Sequence, residues 1–70
     1  MYVYAQHALE KMDSLGLERQ EVEQAIEKGM KWKEQQREMW HAQMGGIEVV
    51  FAKENDTFII VTVYLAGRSK

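Results

Sequence analysis

Imidazole, phenol, amine and guanidinium groups are the candidates for chemistry here, since the 70-residue chain holds two histidines and no cysteine, and its glutamates read as helix-surface charges without an inward pair. Disulfide staples and thiolate zinc sites are thereby excluded, and His7 and His41 are left as the imidazoles. Tyr4 precedes His7 by three residues and Lys11 follows it by four, a spacing that places all three on one stripe of a helix. A neutral imidazole beside an amine and a phenol can move a proton and stabilise a phosphorane, as metal-free RNA cleavage by a 2′-hydroxyl requires. The same spacing also describes an ordinary solvated helix face. A second group is Lys28, Lys31, Lys33 and Arg37, interleaved with Trp32 and Trp40 and followed by His41. This mixture of charge and stacking surface suits single-stranded nucleic acid, so RNA contacts are expected at Lys31, Trp32, Lys33, Arg37 and His41. The plainer reading makes Trp40 a core residue and the lysines guards of an edge strand. No metal site or cofactor is expected: the histidines lack a completing ligand pattern, and Gly45-Gly46 lacks the lysine and helix that follow a phosphate loop.

Two helices and a sheet must position these groups. Ala5, Ala8, Leu9 and Met12 recur at helical spacing, predicting a helix over about 4–15 that Gly16 ends. Val22, Ala25 and Ile26 predict a second over about 18–28, with Leu17 and Val22 spaced as a hydrophobic staple around Glu18. The remaining chain alternates with period two and predicts strands over about 37–44, 47–53 and 58–65, turned at Gly45-Gly46 and Asn55-Asp56. Met30 to Glu34 is either a short fourth strand or a lead into the first. The expected fold class is α+β: two N-terminal helices packed on one face of a three- or four-stranded antiparallel meander. Two-residue turns set His41 opposite Val50. They also put Trp40, Ala42, Met44, Ile47, Val49, Phe51, Phe58, Ile60, Thr62 and Tyr64 toward the helices. The opposite face then carries Arg37, His41, Gln43, Glu48 and Val50 together with Ile59, Val61 and Val63. Those last three apolar residues are expected to be a partner interface, and a homodimer suits so small a chain.

The length allows one domain over 1–70 and no second, and 46% hydrophobic with 29% charged residues excludes a disordered or collagen-like chain. The net charge of −2 conceals an acidic stretch, Glu18 to Glu27, beside a basic one, Lys28 to Arg37. No apolar run is long enough to cross a bilayer, and Met1-Tyr2-Val3-Tyr4 lacks a positive leader, so a cytoplasmic protein without membrane contact is expected.

Tyr4-Ala5-Gln6-His7-Ala8-Leu9-Glu10-Lys11-Met12, Gly16-Leu17-Glu18-Arg19-Gln20-Glu21-Val22, Gly46-Ile47-Glu48-Val49-Val50-Phe51 and Ile59-Ile60-Val61-Thr62-Val63-Tyr64 occur in this order. The pattern resembles the small family catalogued as domain of unknown function four-two-five-eight, grouped with RelE-like and BrnT-like toxin folds. Lys11 stands where that family often has arginine, and Glu18 where it often has serine or threonine. The first change keeps a cation and loses a planar phosphate clamp. The resemblance implies a ribonuclease toxin with His7 as general acid or base, Lys11 and Arg68 stabilising phosphate charge, and Tyr64 as an orienting phenol. RNA or an antitoxin protein would be its partner. The contrasting expectation is a non-catalytic dimerising or partner-binding module that uses Ile59, Val61 and Val63.

Overall fold

A computed structural model describes residues 1–66. The elements run β1 (Tyr2–Tyr4), α1 (Gln6–Leu15), α2 (Arg19–Lys28), β2 (Met30–Lys33), β3 (Trp40–Met44), β4 (Ile47–Glu54) and β5 (Thr57–Leu65). The five strands form one mixed sheet in the order β1-β5-β4-β3-β2, with β1 parallel to β5 and every other pair antiparallel. The fold is thus α+β with two helices. The expectation of a purely antiparallel sheet of three or four strands preceded by helices is corrected: a strand comes first, and it pairs parallel with the last.

Tyr4 belongs to β1, so it leaves the helical stripe drawn through His7 and Lys11. Its segment is extended because the amide of Ala5 donates to the Ile60 carbonyl and that of Phe58 to the Met1 carbonyl, fastening β1 along β5. Tyr2 stacks on Phe58, and the Tyr2 and Tyr4 hydroxyls donate to Glu27 at 2.8 Å and Glu23 at 2.6 Å, tying the sheet edge to α2. Burial, reinforced by Glu27, pushes the Tyr2 phenol up to about 12; burial and the Glu23 bond raise Tyr4 as well.

Gly16 closes α1 in the left-handed region at φ 73°, and the amides of Gly16 and Leu17 return to the carbonyls of Asp13 and Met12, a Schellman ending. At the start of α2 the Glu21 carboxylate accepts the Glu18 amide at 2.9 Å. Gly29 joins α2 to β2 for a steric reason. A Cβ there would stand 2.5 Å from the Ala25 carbonyl oxygen and 2.6 Å from that of Gln43. The Gly45-Gly46 turn has both residues at positive φ, 61° and 81°, the two-residue geometry that matches strand twist.

Ala8, Met12, Val22, Ala25 and Ile26 of the helices pack on Ala42, Ile47, Val49, Phe51, Ile60 and Val63 of the sheet. Both helices therefore cover one face. β5 reaches that face twice because its ladder slips. Val50 pairs with Thr62 whereas Phe51 pairs with Ile60, which leaves Val61 as the extra residue of a bulge. The slip overturns the expected facing of the end of β5. Val63 is fully buried in the core, while Thr62 and Tyr64 turn to the opposite face. Val63 therefore cannot belong to an exposed partner interface; Ile59 and Val61 are half-buried. β3 begins at Trp40 rather than near Arg37, and Met30–Lys33 is a separate strand whose four residues are all exposed.

Candidate functional site around His41

The helix-free face of β2, β3 and β4 collects the ionisable groups. Trp32 pairs with His41 across β2 and β3, and His41 pairs with Val50 across β3 and β4. Since alternate residues share a face, Glu34 lies two along from Trp32 and Glu48 two along from Val50. Both glutamates are diagonal neighbours of His41, one on each side and within reach of long side chains. The amide of Glu34 donates to the Met39 carbonyl at 2.9 Å, which extends this pairing beyond Lys33.

The side chains close that geometry. His41 Nδ1 lies 2.7 Å from Glu48 Oε2, and Nε2 lies 2.5 Å from Glu34 Oε2. An ionised carboxylate only accepts, so hydrogen bonds at both ring nitrogens require the doubly protonated imidazolium. Burial alone would lower the His41 pKa, but the bonds to Glu34 and Glu48 and their charges outweigh it and raise it above the ordinary 6.5. Arg37 adds a fork: its Nε and Nη2 donate to the two oxygens of Glu34 at 2.7 and 2.8 Å. That fork, followed by the His41 bond, pulls the Glu34 carboxyl from 4.5 down to about 2. Trp32 lies nearly parallel on the imidazole, 5.1 Å between ring centres and 9° between planes. Tyr64, paired with Glu48, continues the row, and the Lys11 ammonium lies 5.5 Å from its ring centre.

The expected site residues separate into two sets. Trp32, Arg37 and His41 converge, while Tyr64 pairs with Glu48 across the strands and carries the Lys11 ammonium over its ring. Lys31 and Lys33 alternate onto the other face of β2, where Lys31 Nζ donates to the Gly29 carbonyl and Lys33 pairs with Glu38 at 3.2 Å. The basic run is therefore divided by the strand it forms. His7 is exposed on α1 with no side-chain hydrogen bond among the described residues, and Arg68 lies outside them. Glu34 and Glu48 are the members that sequence reading did not single out. Glu48 was accessible through the Gly45-Gly46 register, whereas Glu34 needed the β2–β3 pairing.

The family model described as "Domain of unknown function (DUF4258)" matches residues 4–65, nearly the whole chain. The chain belongs to this DUF4258 family. The DUF4258 match takes in every member of the His41 cluster, together with Lys11 and Tyr64, and stops short of Arg68. No curated protein and no solved structure gives a match. Among the described residues no helix is long and apolar enough to cross a membrane.

Proposed function

We propose that this DUF4258 chain is a RelE-like toxin component that cleaves single-stranded RNA by metal-independent acid–base chemistry, with its centre at His41 rather than His7. The observation that carries the reading is a carboxylate at each His41 ring nitrogen, Glu48 at Nδ1 and the Arg37-paired Glu34 at Nε2. Glu48 fixes the ring, so that Nε2 presents a proton to whatever occupies the Glu34 side. Arg37 is the fork available to a phosphate, and it stabilises the charge that grows on phosphorus oxygens during attack. Trp32, which leaves about 38% of its surface exposed, is a platform for a flanking base. In the reaction, Glu34 takes the 2′-hydroxyl proton, the 2′-oxygen bonds to phosphorus, and the bond to the 5′-oxygen breaks. That oxygen leaves with the His41 Nε2 proton, giving a 2′,3′-cyclic phosphate and a 5′-hydroxyl end.

The test incubates purified protein with single-stranded RNA in the presence of a chelator and maps the new ends. Wild type is expected to give cyclic phosphate ends, and His41→Ala to lose roughly 100-fold or more of the rate, the usual worth of a general acid. Intact RNA with wild type, or undiminished cleavage by His41→Ala while His7→Ala is inactive, refutes the assignment.

A further inference from the structure

Glu34 holds a position that an acid–base site would give to its substrate. Both of its oxygens accept from the Arg37 guanidinium, at 2.7 and 2.8 Å, and one of them also accepts from His41 Nε2 at 2.5 Å. A planar fork and a separate cationic N–H converging on one small oxyanion is the donor arrangement that phosphate shares with carboxylate. We propose that Arg37 and His41 Nε2 form a seat for a phosphodiester oxyanion, and that Glu34 occupies this seat as a built-in competitor until a single-stranded nucleic acid displaces it. The identity of that nucleic acid rests on the acid–base reading above; the seat itself does not.

Three observations support exchange at this position. The Glu34–Arg37 pair contributes little to the stability of the fold, since the Arg37 side chain is 61% exposed. The surface beside the seat, formed by Glu34, Gln35 and Gln36, is open to solvent, so a ligand can approach Glu34. Exchange also keeps one anion on the two donors: a diester oxyanion carrying one negative charge takes the place of the Glu34 carboxylate against Arg37 and His41. The depressed Glu34 pKa reports how strongly these donors favour an anion. Once displaced, Glu34 loses those donors and regains the basicity that a proton acceptor for a 2′-hydroxyl needs. Seating the phosphate and activating the base then become one event.

The experiment titrates wild type, Glu34→Gln and Glu34→Ala, each with and without Arg37→Gln, against inorganic phosphate and against a 2′-deoxy dinucleotide. The dinucleotide has a phosphodiester but no hydroxyl to attack it. Binding is followed by the His41 imidazole resonances. Both Glu34 variants are expected to bind both probes at least ~10-fold more tightly than wild type, and Arg37→Gln to cancel the gain. In wild type, saturating phosphate should move the Nε2–H resonance and leave the Nδ1–H bond to Glu48 in place, a reading that needs no variant to fold. No gain in either variant, or a gain that survives Arg37→Gln, overturns the seat. A gain for inorganic phosphate alone overturns its assignment to a diester. RNA left intact by wild type while the Glu34 variants gain affinity removes the acid–base reading and keeps the seat; His41-dependent cleavage with no gain in affinity removes the seat and keeps that reading.

Discussion

Replacing Glu48 with glutamine isolates the charge on one side of His41 while keeping an oxygen to accept the Nδ1 proton. A hydrogen bond between charged groups is worth about 1.5–3 kcal/mol and a neutral one about 0.5–1.5, so removing the charge costs on the order of 1 kcal/mol. The side chains are 14% and 22% exposed, which keeps solvent from screening the pair completely but holds the cost at the low end. For a domain of this size, 1 kcal/mol lowers Tm by about 4–8 °C. The cost must depend on pH, and in one direction. The folded pKa of His41 is raised, so its pairing energy is fully present below the unfolded value of 6.5 and is lost as pH rises through the folded value. Glu34 contributes in the opposite sense. Its folded pKa is depressed to about 2, so its share is present above 4.5 and lost as pH falls toward 2. The network is therefore strongest between about pH 4.5 and 6.5. Thermal melts of wild type and Glu48→Gln should differ by several degrees at pH 5.5 and converge above the folded His41 pKa, where the ring is neutral. An NMR titration should show the His41 pKa falling in the variant. A melting difference that is the same at pH 5.5 and pH 9 would refute the imidazolium assignment.

Deleting Val61 removes the residue that makes the β5 bulge, so Val63 should stay in the core and Tyr64 outside. Circular dichroism should show a folded protein less stable by about 1–2 kcal/mol, and an unfolded one would mean that the bulge itself is required. Gly29→Ala places a methyl against two carbonyl oxygens and should cost about 1–3 kcal/mol in chemical denaturation, although the φ of −77° suits any residue. Thr62 Oγ1 is buried with no hydrogen-bond partner among the described residues, so Thr62→Val should raise stability by up to ~1 kcal/mol; a loss would reveal a partner for the hydroxyl.

The features legible in the sequence were those fixed by short-range geometry. Helical spacing of Ala8 with Met12, and of Val22 with Ala25 and Ile26, marks the faces that pack on the sheet. The Gly45-Gly46 pair sets the register that opposes His41 to Val50. What escaped depends on distant partners. Tyr2-Val3-Tyr4 is too short to show alternation and becomes a strand by pairing with β5. Nothing local in Ile59 to Val63 announces a bulge, which arises because Ile60 and Val63, separated by an odd interval, both reach the core. The connection from Glu34 to Met39 contains no glycine, proline, asparagine or aspartate, so no turn signal fixed β2 against β3. Glu34 was lost with that register.

This division also describes how the site is held. The half of the cluster formed by His41 and Glu48 stands on β3 and β4, joined by the tight glycine turn and backed by Ala42, Val49 and Phe51 in the core. The half formed by Glu34 and Arg37 stands at the end of an exposed edge strand, on a connection whose intervening residues 35–38 face solvent. Local opening costs least where few apolar groups are buried and the backbone is solvated. The imidazole and its orienting carboxylate therefore sit on the rigid side, and the carboxylate that must leave an anion seat sits on the labile one.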